Sequence, residues 1–154
     1  MVKKNSFIDV LTLDDLKRDN TYHINNCIIN TIDFIGSFEI NDHIIIANCI
    51  IKDLQIHSCW FINGFSLKKC IIKNYIDYQM GGHNARPISL EGNIFMEFVN
   101  FFDCQFGAVI EVKNNIFVQG TNLLGNKKEG FANTFDKGWV VEGNLGRVDI
   151  DGVR

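Results

Sequence analysis

A pair of carboxylates, a histidine close to an arginine, and a set of evenly spaced cysteines are the features of this sequence whose types could do chemistry. The carboxylates are Asp53 and Glu97. Two carboxyl groups about 6.5–9.5 Å apart can cleave a glycosidic bond with inversion, one protonating the leaving oxygen and the other activating water. His83 and Arg86 lie in Tyr78-Gln79-Met80-Gly81-Gly82-His83-Asn84-Ala85-Arg86-Pro87, with Asp77 just before it. An imidazole can move a proton near neutral pH, and a guanidinium can clamp a carboxylate. The five cysteines include no C-x-x-C pair, so no zinc or redox motif is present, and neither a metal nor a cofactor is expected.

The elements that must position these residues come from a repeat. Cys27, Cys49, Cys70, Asn93, Asn115 and Asn144 occupy equivalent anchor positions, separated by 22, 21, 23, 22 and 29 residues. Three residues before each anchor stand Ile24, Ile46, Leu67, Leu90, Val112 and Val141. Five before stand Tyr22, Ile44, Phe65, Ile88, Ile110 and Trp139, while the residues between these two columns are mostly polar. Apolar alternation with a period of two is the pattern of a strand buried on one face.

The residue just before each anchor is Asn26, Asn48, Lys69, Gly92, Asn114 or Gly143. Asn and Gly tolerate a left-handed backbone, so the same sharp bend is expected in every repeat, with Lys69 the strained exception. A half-period echo, Ser58-Cys59-Trp60-Phe61 and Asp103-Cys104-Gln105-Phe106, adds further strands to each repeat. A coil of about 22 residues stacked on like coils is a parallel β-helix. Six rungs about 4.8 Å apart make a rod of roughly 29 Å. Two rungs separate Asp53 from Glu97, or about 10 Å. They belong to an outward column, Thr31, Asp53, Asn74, Glu97 and Gln119, where polar residues are ordinary. The cysteines Cys27, Cys49 and Cys70 stack with nearly parallel Cβ vectors, which favours free buried thiols over disulfides.

The pattern φ-x-φ-x-[N/G]-[N/C]-x-φ over residues 21–150 resembles the repeats of the pectate-lyase-like superfamily. That resemblance implies a right-handed coil with an asparagine-rich bend. It also brings in carbohydrate chemistry: polygalacturonase-like enzymes of this fold carry a Gly-His-Gly element, an Asn-x-Asp with a following Asp pair, and an Arg-x-Lys. Gly82-His83-Asn84 matches the first only in part. The one consecutive Asp pair is Asp14-Asp15, near the N-terminus, and Arg-x-Lys is absent. The calcium-binding aspartates and substrate arginine of pectate lyases have no counterpart here.

One further pattern bears on partners. Ile28, Ile50, Ile71, Ile94 and Ile116, with Leu145, follow the anchors directly. The next residues, Ile29, Ile51, Ile72, Phe95 and Phe117, are apolar too. Neighbours on a strand point to opposite faces, so one of the two columns must point outward. In Cys104-Gln105-Phe106 the middle residue is polar, and by that analogy the first apolar residue points out. An aliphatic stripe across five or six rungs is therefore expected, to be covered by another chain or by the N-terminal segment.

Residues 1–20 lie before the repeat and read as a cap on the 21–154 solenoid. Within it Phe7–Asn20 form a short strand and helix, the helix opening at Thr12-Leu13-Asp14-Asp15. The longer last interval predicts a loop projecting within Gly120–Gly138. No comparable cap is visible after Asp149-Ile150-Asp151-Gly152, which leaves open strand edges at that end.

Composition narrows the function classes. Net charge is −3 with no basic block, against a nucleic-acid partner. No apolar run reaches membrane-spanning or signal-peptide length, so the chain reads as soluble and cytoplasmic unless a leader precedes it. The expected function is a non-enzymatic structural or interaction module, assembling with itself or a protein partner. The alternative is a polysaccharide lyase or glycoside hydrolase acting on an outward face through Asp53, Asp77, His83, Arg86 and Glu97.

Overall fold

A computed structural model describes residues 2–16, 21–128 and 130–153. The chain is an all-β parallel solenoid with a repeat near 22 residues. One sheet has seven strands: Val2–Lys4, Thr21–Asn25, His43–Ala47, Phe65–Lys68, Ile88–Glu91, Ile110–Lys113 and Trp139–Glu142. A second has six: Phe7–Thr12, Ile28–Asp33, Ile50–Gln55, Ile71–Ile72, Ile94–Phe95 and Ile116–Phe117. Three two-stranded sheets close the coil on its remaining side.

Register follows the sequence columns. In the first sheet Ile44 pairs with Phe65, and Ile88 with both Phe65 and Ile110. In the second, Ile28, Ile50, Ile71, Ile94 and Ile116 are successive partners. Like side chains stack on like, so the core is a set of columns. Phe95 and Phe117 stack at 4.9 Å, and Phe106 lies on Phe135 at 5.4 Å.

All seven bends between the two main sheets are left-handed: Asn5, Asn26, Asn48, Lys69 and Asn114 have φ of 53–56°, and Gly92 and Gly143 have φ of 68° and 67°. Lys69 adopts the same φ as its neighbours despite its Cβ, because hydrogen bonds on both sides dictate the path. A second left-handed series, Ser58, Met80 and Asp103, marks the half-period echo.

The N-terminal segment is part of the coil. Val2–Lys4 pair with His23–Asn25, and Phe7–Thr12 with Ile28–Asp33. Asn5-Ser6-Phe7-Ile8 thus repeats the bend, anchor and double apolar motif one rung earlier. The capping element is smaller than the expected strand and helix: a single 3-10 turn, Leu13–Leu16, with Leu11 and Leu16 buried. Thr12 donates its N–H to the Asp15 carboxylate, one half of a capping box, and its hydroxyl donates to the same oxygen. Residues 17–20 of the expected cap and Glu129 of the expected loop lie outside the described residues.

The long last interval does not simply project. Thr121, Asn122, Leu123 and Asn126 are buried, and Thr134–Phe135 add a strand beside Gln105–Phe106. The C-terminal segment lies over it: Thr121 N–H donates to the Arg147 carbonyl and Ile150 N–H to the Thr121 carbonyl. Lys127, Lys128, Gly130 and Phe131 remain as an exposed tip. Among the described residues, no strand pairs with the outer edge of Trp139–Glu142, and Trp139 is half exposed at an inward-facing position.

Candidate functional site

The anchor column is a continuous hydrogen-bonded ladder. The Cys27 N–H donates to Cys49 Sγ at 3.4 Å, and the Cys49 N–H to Cys70 Sγ at 3.4 Å. The Cys70 N–H donates to Asn93 Oδ1, Asn93 N–H to Asn115 Oδ1, and Asn115 N–H to Asn144 Oδ1, each at 2.9 Å. Each asparagine amide also donates inward, to the carbonyls of Leu67, Leu90 and Val112. The Cys49 and Cys70 thiols donate to Ala47 and Lys68 carbonyls. Cys and Asn share the column because each side chain can both accept and donate at a bend that strands alone leave unsatisfied.

All five cysteines are free and buried. Burial pushes the Cys59 thiol up to about 12, and burial also raises Cys104. The Cys49 thiol beside it, then burial, hold Cys70 up, against the ladder N–H of Cys49, which lowers it. Cys49 is shifted the other way, lowered chiefly by the Cys70 thiol bonded to it, but all five side chains are buried and out of a reagent's reach. A thiol-reactive dye is therefore expected to label essentially none of the five cysteines in the native protein and all five in denaturant. Rapid labelling of the native chain would contradict the buried ladder.

The five candidate catalytic residues fall into separate places. Asp53 is on strand Ile50–Gln55, and its carboxylate accepts a 2.6 Å hydrogen bond from the Asn74 amide. Asn74 stands between Asp53 and the exposed Glu97 in the outward column. Asp77 is on another two-stranded sheet, 3.0 Å from Nδ1 of His57, and accepts the Gln79 N–H. His83 stacks on the indole of Trp60 at 4.1 Å. Arg86 lies in an open groove of about 450 Å³ with His43, Asn63, Ser66, Pro87 and Ser89. His43 is held below the usual imidazole range, first by burial and then by His23, so it is neutral at pH 7. Sequence reasoning placed the five on one outward face; the structure divides them among three sides of the coil, because about 22 residues circle the core and neighbours in sequence soon turn a corner. The His57–Asp77 pair was not anticipated, since its partners lie 20 residues apart and meet only when coils stack. The cavity enclosed by the core is about 20 Å³, with an apolar lining that includes Phe61, Phe65 and Phe95, too small for a substrate.

The aliphatic column has the geometry of a surface feature. Phe7 is 70% exposed, Ile28 54%, Ile50 38%, Ile71 36%, Ile116 37% and Leu145 65%, and Ile94 is partly exposed. At Ile28, Ile50, Ile71, Ile94 and Ile116 the residues on either side are buried, so the first apolar residue after the anchor points out and the second points in. Phe7 pairs with Ile28 and Leu145 bridges Ile116, which extends the column to seven rungs. Asn5, Asn26 and Asn48 flank its N-terminal half across a shallow groove, and the exposed Met96 and Val118 lie two residues beyond Ile94 and Ile116. The N-terminal segment does not cover the column; Phe7 prolongs it. Strand alternation makes this possible, since each pair such as Ile50 and Ile51 lies within one strand and takes opposite faces.

No family model matches the chain, and neither a curated protein nor a solved structure matches it. Among the described residues, no helix is long and apolar enough to cross a membrane, and no three His, Cys, Asp or Glu side chains are grouped to hold a metal ion.

Proposed function

We propose that this β-solenoid is a non-enzymatic interaction module whose six-stranded sheet meets a protein partner or a second copy through the aliphatic column. The carrying observation is the unbroken line of exposed apolar side chains from Phe7 to Leu145, one per rung, where the other exposed apolar residues such as Ile35, Phe38 and Met80 form no such line. Together with Met96 and Val118 it exposes on the order of 700 Å² of apolar surface, more than the 300–600 Å² of the largest patch on a typical monomer. Five free thiols, all buried, support a cytoplasmic setting. The test is the Ile50→Lys/Ile71→Lys variant, which is expected to stay folded and to lose the assembly in light scattering.

A second reading has its own observation. The Arg86 groove is open, about 450 Å³, and brings Arg86 together with His43, Asn63 and two serines, and the repeat resembles that of pectate-lyase-like β-helices. On this reading the chain is a polysaccharide lyase or hydrolase. The separation of Asp53, Asp77 and Glu97 from Arg86 weighs against it. Incubation with acidic polysaccharides is expected to release neither unsaturated uronides nor reducing ends. Release that disappears in Arg86→Ala would replace the interaction reading with this one.

A further inference from the structure

We infer that the aliphatic column is seated on the same column of a second copy, in a two-fold dimer centred on Ile71. The inference rests on the interaction reading above and commits it to one occupant. Two observations carry it, pitch and area.

The column residues are direct partners in a parallel ladder, so they repeat once per rung, about 4.8 Å apart, over six intervals or roughly 29 Å. A partner helix repeats its contact row about every 5.4 Å and drifts by roughly three-quarters of a rung over that length. A partner strand lying along the column presents alternate side chains about 6.8 Å apart and loses register sooner. Another stack of β-rungs keeps the pitch from end to end. This chain has such a stack, with aliphatic side chains at every rung. Facing columns in register set an aliphatic side chain against its counterpart at every rung along their whole length, as paired β-sheets do in dry interfaces.

Area agrees. About 700 Å² of apolar surface from each copy is close to the roughly 800 Å² per partner of a standard interface. The rim is polar and basic near its centre: Asn26, Asn48, Lys69 and Asn114 line one flank, and Lys52 and Lys73 stand on the other in line with Met96 and Val118. Overlap is greatest when all seven rungs face one another, since each rung of slip removes one contact at an end. Ile71 is fourth of seven, so it meets its own copy whether the two rods run parallel or antiparallel.

The test uses the full chain carrying Ile71→Cys, Ile28→Cys or Ile116→Cys, with light scattering and a short bifunctional maleimide. The native cysteines are buried and give the background. The expected result is a mass of two chains, about twice 17.6 kDa. Ile71→Cys is expected to cross-link to itself in the dimer. Ile28→Cys alone cross-links if the rods are parallel; co-expressed with Ile116→Cys, it cross-links to that variant if they are antiparallel. Either pattern supports the stripe-on-stripe dimer. Substituting Ile71 by Lys places two ammonium groups at its centre and should raise the dimer dissociation constant on the order of a hundredfold or more. A mass of one chain overturns the second-copy inference and leaves a different protein partner standing. A dimer in which Ile71→Cys does not cross-link overturns the seating. A dimer unchanged by both Ile50→Lys and Ile71→Lys overturns the interaction surface itself.

Discussion

Asn115→Leu is expected to lower the free energy of unfolding by about 4 kcal/mol, a large part of the 5–15 kcal/mol typical of a folded domain. Asn115 is fully buried. Its Oδ1 accepts the Asn93 N–H at 2.9 Å and the Asn93 amide at 3.0 Å, and its own amide donates to the Leu90 carbonyl at 2.9 Å. Leucine fills a similar volume but removes the side-chain partner of the Asn93 N–H and of the Leu90 carbonyl, and leaves the Asn93 amide only its bond to the Leu67 carbonyl. Each orphaned buried group costs about 1–3 kcal/mol. Asn115→Cys should cost less, about 1–2 kcal/mol, because a thiol can still accept the N–H and donate to a carbonyl, as Cys49 and Cys70 do two and three rungs away. Urea unfolding of both variants measures the order. A leucine variant as stable as the parent would mean that the ladder contributes nothing beyond volume.

The Ile50→Lys/Ile71→Lys protein is expected to stay folded and lose its partner. Both side chains are more than a third exposed, whereas Ile51 and Ile72 beside them are buried. A lysine can lay its stem along the sheet and keep its ammonium in water, so the stability cost is about 1 kcal/mol or less. Within a closed interface the same two ammonium groups would be stripped of water with no carboxylate to receive them, which disfavours the complex by several kcal/mol. Circular dichroism on heating and light scattering separate the two effects. A native melting curve with a lost assembly is the expected pair of results. An unfolded double variant would mean that the column belongs to the core, and an unchanged assembly would mean that the contact lies elsewhere.

The particular residues show how far the sequence reached. The bend was legible because left-handed φ is a local demand that Asn and Gly meet alone, and five of the six repeats announce it. Lys69 follows because its neighbours in the stack leave no other path. The first rung escaped notice because Lys3 occupies the position where later repeats carry an inward aliphatic; its partner Ile24 is buried, while Lys3 at the end of the stack is only partly so. The excess residues of the last repeat were read as a projecting loop, yet Asn122 and Asn126 bind the C-terminal segment. Asn122 donates to the carbonyl of Gly152, and Asn126 accepts the Gly152 N–H at 2.6 Å and donates to Asp151. Nothing local in Gly120–Gly138 records that contact.

By itself the sequence determined the coil. Period-two alternation, a bend residue every 22 positions and matched columns leave a parallel β-helix as the arrangement that buries every column at once. Tertiary structure alone decided which side chains meet, and it fixed the facing of the isoleucine column that only the analogy of Cys104-Gln105-Phe106 suggests in the sequence. Outward residues carry no periodic signal of their own once two adjacent positions are both apolar, so the stacked coil had to assign Ile28, Ile50, Ile71, Ile94 and Ile116 to the surface. The candidate acids and bases were separated for a related reason. Proximity in a solenoid is set by the rung above and below, and a few residues along the chain carry Asp77, His83 and Arg86 past a corner to different sides of the rod.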